Sequence, residues 1–225
     1  MLKFLSPNFN NRPDGIAIDT LIFHYTGMIS ANEALKRMCS PQAKVSAHYM
    51  IDEHGQIFQL VPEEKRAWHA GLAYWRGKIN INDRSIGIEL ENPGHDINYK
   101  PFPEKQILSL IKLAKEIIQR YHIPARNILG HSDIAPTRKK DPGELFNWSL
   151  LASNGIGLWP ETDFMNNNDA GNLSDFESNL RLYGYDTSNL VASTLAFQRH
   201  FLPNACSGRI DIQTFLILKK LIELL

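Results

Sequence analysis

One long amphipathic segment, set among short apolar runs, limits the folds open to this chain. Residues 103–121 carry Ile107, Leu110, Ile111, Ala114, Ile117, Ile118 and Tyr121 at the i, i+3, i+4, i+7 positions of a helix with one buried stripe. Pro103 suits the first helical position, and Pro124 stops the helix from continuing. Upstream, Ser85-Ile86-Gly87-Ile88-Glu89-Leu90-Glu91 alternates strictly. It puts Ile86, Ile88 and Leu90 on one strand face and Gly87, Glu89 and Glu91 on the other. Gly87 is read as leaving room beside Glu89 for a ligand. Thr20-Leu21-Ile22-Phe23-His24 is a nearly continuous apolar run, suited to a central strand buried on both faces. Val45 to Ile51 and Ile57 to Val61 read as a hairpin, and Asn127 to Gly130 as a last strand. Ser30 with Glu33 caps a short helix whose inner face is Ala34, Leu35 and Met38. These elements specify an α/β domain, with a central mixed β-sheet flanked by helices.

The composition changes after Ser153. Gly155, Gly157, Pro160 and the run Asn166-Asn167-Asn168-Asp169-Ala170-Gly171 read as a linker. Three short helices come next. The first pairs Ser174 with Glu177 as a capping box, has a face of Phe176, Leu180 and Tyr183, and ends at Gly184. The second covers about 189–201, and the third starts near Asp211. The expected division is the α/β domain over 1–160, a linker over 161–172 and a small C-terminal three-helix domain over 173–225. A bundle of this size is marginal alone, so it is expected to dock on the first domain.

Charge excludes little but disfavours one class. Lysine plus arginine equals aspartate plus glutamate, 24 against 24, so no basic face points to nucleic acid. Cys39 and Cys206 define no disulfide framework. No apolar run approaches the roughly 20 residues of a spanning helix, so no transmembrane segment is expected. The start of the chain does not read as a secretory signal, which leaves a cytoplasmic protein or an export signal outside this sequence. The small neutral chain is consistent with a monomer.

The chemistry concentrates in the loop Gly130 to Gly143. It holds His131, Asp141 ten residues later, and Lys139 two residues before that carboxylate. Pro136, Pro142 and the flanking glycines stiffen it, and a helix-like segment is read from Glu144. With His24 at a strand end, two imidazoles and one carboxylate form the set that zinc takes in catalytic sites, leaving a fourth position for water. Zinc acidifies that water to a pKa of roughly 7.

Plainer readings compete at each position. Asp141 before Pro-Gly also suits an N-cap for a following helix, and Asp133 suits a loop cap. His54 and His122 read as solvated, His48 as structural, and His95 and His200 carry no signal. The aromatic loop from Trp68 to Trp75 suits a core, although its glycines and arginine favour a cleft wall.

Five blocks occur together and in order. They are Phe23-His24-Tyr25-Thr26, Val45-Ser46-Ala47-His48-Tyr49, Ala67-Trp68-His69-Ala70-Gly71, Ser85 to Asn92, and Gly130 to Pro136 continued by Arg138 to Gly143. Across about residues 18–160 the chain resembles the zinc-dependent type 2 N-acetylmuramoyl-L-alanine amidases (the AmpD/AmiD-like family). The resemblance implies the type 2 amidase or peptidoglycan-recognition-like fold. It implies one Zn2+ per chain on His24, His131 and Asp141, with Glu89 as a catalytic carboxylate and Lys139 as its partner. The implied reaction cuts the amide between N-acetylmuramic acid, including its 1,6-anhydro form, and L-alanine of the stem peptide. Peptidoglycan or muropeptide fragments are the implied partners. Trp68, His69, Arg76 and Asn92 are the candidates for contacting substrate. Lys139 has two roles open to it, cation or proton donor. Ala196-Phe197-Gln198-Arg199-His200-Phe201 resembles part of the three-helix peptidoglycan-binding module of the AmiD-like branch, which favours the cell envelope or periplasm. The alternative is a non-catalytic peptidoglycan-recognition protein on the same fold.

Overall fold

A computed structural model describes residues 1–161 and 173–225 of the chain. The expected linker over 161–172 therefore lies, apart from Glu161, outside the described residues. The strands are β1 (Leu2–Lys3), β2 (Phe9–Asn11), β3 (Thr20–Tyr25), β4 (Tyr49–Ile51), β5 (Ile57–Gln59), β6 (Lys65–Ala67), β7 (Ser85–Leu90) and β8 (Ile128–Gly130). The helices are α1 (Ala31–Met38), α2 (Glu104–Tyr121), α3 (His131–Ile134), α4 (Trp148–Ser153), α5 (Leu173–Tyr183), α6 (Leu190–Phe201) and α7 (Ile212–Glu223).

The main sheet has the order β1-β5-β4-β7-β3-β8 and is mixed, because β4 and β5 form an antiparallel hairpin while β3 runs parallel to β7 and β8. A separate antiparallel pair joins β2 to β6. The strand alternation read from the sequence sets the two layers. Leu21, Phe23, Ile86, Ile88 and Leu90 pack under the stripe of α2 (Ile107, Leu110, Ile111, Ala114, Ile117) together with Phe146, Trp148 and Leu151. Burying each such side chain is worth roughly 1.5–3 kcal/mol, so this layer fixes which strand face turns away from α2. That opposite face carries Ile22, His24, Gly87 and Glu89.

Part of that opposite face is covered by the C-terminal helices. Ile22, Leu129, Trp75 and Ile81 share one continuous core with Phe176, Leu180, Tyr183, Tyr185, Phe197 and Phe201. The helical segment thus docks on the sheet through a common apolar core, as its small size requires.

Several local expectations are corrected. Pro103 is the N-cap of α2, not its first residue. The regular first strand of the hairpin is confined to Tyr49–Ile51: the Leu60 and Val61 amides both donate to the His48 carbonyl, which breaks the register, and Ser46 bonds to Trp68 and Asn8. No helix starts at Glu144; α4 begins at Trp148, capped by the Asn147 side chain on the Leu150 amide. Ser174 lies inside α5, and Glu177 bonds Arg181 and Thr187.

Candidate metal centre and active site

Three elements deliver the candidate ligands. His24 comes from β3, where it is the register partner of Glu89 on the parallel neighbour β7, so both project from the same sheet face. His131 opens α3, directly after β8. Asp141 returns to it because the Ser132 amide donates to the Asp141 carbonyl at 2.9 Å. A side chain at Gly130 would collide with Pro142, its Cβ falling 2.6 Å from the ring, so glycine is needed for this close return. The loop that its prolines and glycines stiffen also contains one helical turn. Asp133 caps it, with Oδ2 accepting from the Gly130 amide at 2.7 Å.

The result is a tight triangle. His24 Nδ1 lies 2.9 Å from His131 Nδ1, and both nitrogens lie 3.0 Å from Asp141 Oδ2. All three residues are buried. A tetrahedral zinc ion spaces nitrogen and oxygen ligands about 3.3 Å apart, so the set falls within a few tenths of an ångström of a metal's coordination face. The partners of the outer nitrogens support this. His131 Nε2 faces the Ala70 carbonyl at 3.0 Å and so carries the proton, leaving Nδ1 bare. Burial first, and then the neighbouring His131, pull His24 down to about 4. Asp141 is held below the usual carboxylate range: burial opposes this, but His131 and then His24 outweigh it. Two bare nitrogens and an ionised oxygen this close repel one another unless a cation, a metal ion or a shared proton, joins them. Asp141 is therefore not an N-cap, and the donor set fits the metal that the sequence implies.

Above the triangle opens a cleft of about 500 Å³ lined by Tyr25, Trp68, His69, Glu89, Arg138 and Lys139, among others. Glu89 reaches solvent on one side, while its Oε2 is buried without a hydrogen-bond partner. Burial and then the charge of Asp141 raise the Glu89 carboxyl well above its ordinary value, against a smaller opposing pull from Lys139. A larger groove of about 660 Å³ between Trp148, Trp159, Phe201 and Ile217 lies away from the triangle.

The expected substrate contacts divide. Trp68 lines the cleft, with Nε1 donating to Asn10 Oδ1 at 2.9 Å. His69 lines it too, but both ring nitrogens are engaged, with His24 and with Ser85. Arg76 lies outside the cleft lining: its amide donates to the Gly184 carbonyl and its guanidinium to Asn127. Trp75, beside it, is core against Tyr183 and Tyr185. Asn92 is fully buried, its amide nitrogen on the Lys100 carbonyl and its oxygen on the Gly94 amide. The room expected beside Gly87 is filled by His69, whose ring atoms would lie 2.5–2.7 Å from a Cβ there.

Tyr25 and Arg138 also line the cleft, although the sequence singles out neither as a cleft residue. Tyr25 is the last residue of β3. Its hydroxyl meets His95 Nδ1 at 3.0 Å, and His95 Nε2 meets Glu144 at 3.1 Å. Arg138 donates to the carbonyls of Ala70 and Leu72 at 2.7 and 2.8 Å, pinning the loop that holds His131.

The sequence pattern of the N-acetylmuramoyl-L-alanine amidase family matches residues 14–144. The chain belongs to that family. It is 41% identical over 231 residues to the N-acetylmuramoyl-L-alanine amidase AmiD of Escherichia coli, covering 92% of this chain and 83% of that protein. It is 36% identical over 166 residues to the 1,6-anhydro-N-acetylmuramyl-L-alanine amidase AmpD of Haemophilus influenzae, covering 66% of this chain and 88% of that protein. Among solved structures, Escherichia coli AmiD in complex with anhydro-N-acetylmuramic acid-L-Ala-D-γ-Glu-L-Lys superposes with a TM-score of 0.84 at 38% identity, covering 95% of this chain and 92% of that one. AmpDh3 of Pseudomonas aeruginosa in complex with anhydromuramic pentapeptide gives 0.84 at 33%, covering 97% of each chain. Members of this amidase family are hydrolases, and the mixed sheet flanked by helices is their fold. Among the described residues no helix is long and apolar enough to cross a membrane.

Proposed function

We propose that the chain is a zinc-dependent N-acetylmuramoyl-L-alanine amidase. It hydrolyses the amide between N-acetylmuramic acid, including the 1,6-anhydro form, and L-alanine of the stem peptide, in peptidoglycan turnover or recycling. The observation that carries this reading is the triangle of His24, His131 and Asp141 at the floor of a cleft that Glu89 and Lys139 also line. A recognition protein that only binds wall fragments has no need of three converging bare ligand atoms.

His24 Nδ1, His131 Nδ1 and Asp141 Oδ2 are the atoms that would hold zinc. Bound there, zinc supplies polarisation of the scissile carbonyl and acidification of the attacking water. Glu89 projects from β7 beside His24 and is placed to take the proton of that water and pass it to the departing amine of L-alanine. Its Oε2 is buried without a hydrogen-bond partner, so no neighbouring donor holds that oxygen as a carboxylate. Lys139 brings a cation to the wall of the same cleft, where negative charge develops on the amide oxygen. Trp68 offers an aromatic face at the rim for sugar or peptide. The segment 173–225 is assigned as a three-helix module resembling peptidoglycan-binding domains, and the envelope or periplasm as the compartment where both parts meet their ligand.

The test is digestion of purified sacculi and of soluble anhydro-muropeptide, side by side, with product masses. Free stem peptides beginning at L-alanine, lost with a chelator and regained with zinc, support the reading. Binding without cleavage supports the recognition alternative instead. Cleavage within the peptide makes the protein a peptidase.

A further inference from the structure

We propose that His69 is a positioning residue that sets the tautomer and ring orientation of His24 through a hydrogen-bond relay ending at Ser85 and the Ile81 carbonyl. The proposal rests on the metal-site reading for its consequence, but not for its geometry.

Each proton in the relay has one place to be. Ser85 has a single hydroxyl proton, donated to the Ile81 carbonyl at 2.8 Å. Its oxygen therefore accepts from His69, whose Nε2 lies 3.2 Å away. With the proton on Nε2, His69 Nδ1 is a bare acceptor, and it faces His24 Nε2 at 3.0 Å. His24 must then carry its proton on Nε2, which leaves Nδ1 bare and aimed at the triangle. The other ligand needs no such device, because a backbone carbonyl accepts from His131 Nε2 and cannot change its role. His69 can present either a lone pair or an N–H, so its own state has to be fixed, and Ser85 fixes it.

The surroundings hold His69 to this task. Asn82 Oδ1 accepts from the amides of His69 and Ala70 at 3.1 and 2.8 Å, anchoring the backbone. Gly87 provides the hollow for the ring. The His24 and His69 rings meet edge to face, 83° apart, so rotation of one displaces the other. Hydrogen-bond partners of metal-ligating histidines typically contribute 10–100-fold in metal affinity.

The experiment compares His69→Leu, His69→Asn and Ser85→Ala with the parent chain. Zinc affinity is read by chelator competition, and the tautomer of His24 by nitrogen NMR on the metal-free protein. Asparagine keeps an acceptor near the Nδ1 position but fills the site worse than leucine does. The relay predicts zinc affinity weaker by roughly 10–100-fold in His69→Leu, with a smaller loss in His69→Asn. It predicts His24 protonated on Nε2 in the parent and a mixture of tautomers in His69→Leu and Ser85→Ala. A simple packing role predicts the opposite rank, with leucine above asparagine. That rank, or an unchanged His24 tautomer in Ser85→Ala, overturns the proposal. Ser85→Ala keeps the test decisive should His69→Leu fail to fold. A parent that binds no zinc sinks the metal reading, while the tautomer measurement still decides the relay.

Discussion

His200 Nδ1 donates to Asp133 Oδ2 at 2.8 Å, so a C-terminal helix grips a carboxylate two residues from the candidate ligand His131. The Tyr185 hydroxyl donates to the other oxygen of the same carboxylate at 2.5 Å. His200 is itself stacked on Trp148 with ring centroids 3.7 Å apart. Asp133 thus ties the turn that carries His131 both to its own start at Gly130 and to the helical segment. The C-terminal helices are part of the support of the candidate metal site as well as an attached unit.

Removing that tie exposes its worth. Asp133→Ala leaves three buried donors, the Gly130 amide, the Tyr185 hydroxyl and His200 Nδ1, without their acceptor. Each orphaned donor costs about 1–3 kcal/mol, so the variant is expected to lose about 3 kcal/mol or more in urea unfolding and to hold zinc more weakly. Tyr185→Phe removes one donor together with one bond and is expected to lose about 1 kcal/mol. Equal stability of Asp133→Ala and the parent would show that the tie is incidental.

Separating ligand from proton carrier requires two variants. Asp141→Ala deletes one corner of the triangle and is expected to lose both zinc and hydrolysis. Glu89→Ala leaves the triangle intact; it is expected to retain about one zinc per chain while turnover falls roughly 10²–10⁴-fold, the usual contribution of a general acid–base group. Metal analysis beside a hydrolysis assay checks both. Full activity in Glu89→Ala removes that residue from the chemistry.

Periodic patterns and ordered motifs were the legible part of the sequence. The alternation in β7 and the stripe of α2 gave the layers correctly, since both are local patterns with a physical period. The convergence of His24, His131 and Asp141 was legible because ordered motif blocks, as well as residue types at a strand end and a loop, single the three out. Arg76, Asn92 and Trp75 were misplaced because a polar or aromatic residue in a loop looks the same in sequence whether it faces a cleft or a neighbouring helix. His200 gave no signal, because its partner Asp133 lies 67 residues away and no local pattern joins them. Gly87 was read as room for a ligand because sequence shows that a side chain is missing but not which neighbour fills the space.

Gly87 therefore offers a test that does not touch a ligand. A methyl group at this position would lie 2.5 Å from His69 Cγ, and real atoms do not approach so closely. Gly87→Ala sits in a strand whose conformation alanine tolerates, so the strand itself should form. The expected outcome is a folded protein with weaker zinc binding and reduced hydrolysis, read by chelator competition and by product release. Unchanged zinc affinity would mean that the His69 ring moves without consequence for His24.

The raised carboxyl of Glu89 makes a prediction about stability with a definite sign. Burial and the nearby Asp141 lift it well above 4.5, so the metal-free folded protein keeps a proton that the unfolded chain has already released. The stability contributed by this group is fully present below pH 4.5 and is lost as the pH rises through the folded-state value. Glutamine has no such proton to lose. Glu89→Gln should match the parent near pH 4.5 and become progressively the more stable of the two toward neutrality, when both are unfolded with urea in a chelator. Zinc should narrow the gap, because a cation in the triangle favours the ionised carboxylate. Parallel stability curves for the two proteins from pH 4.5 to neutrality would show that Glu89 titrates alike in the folded and unfolded chains.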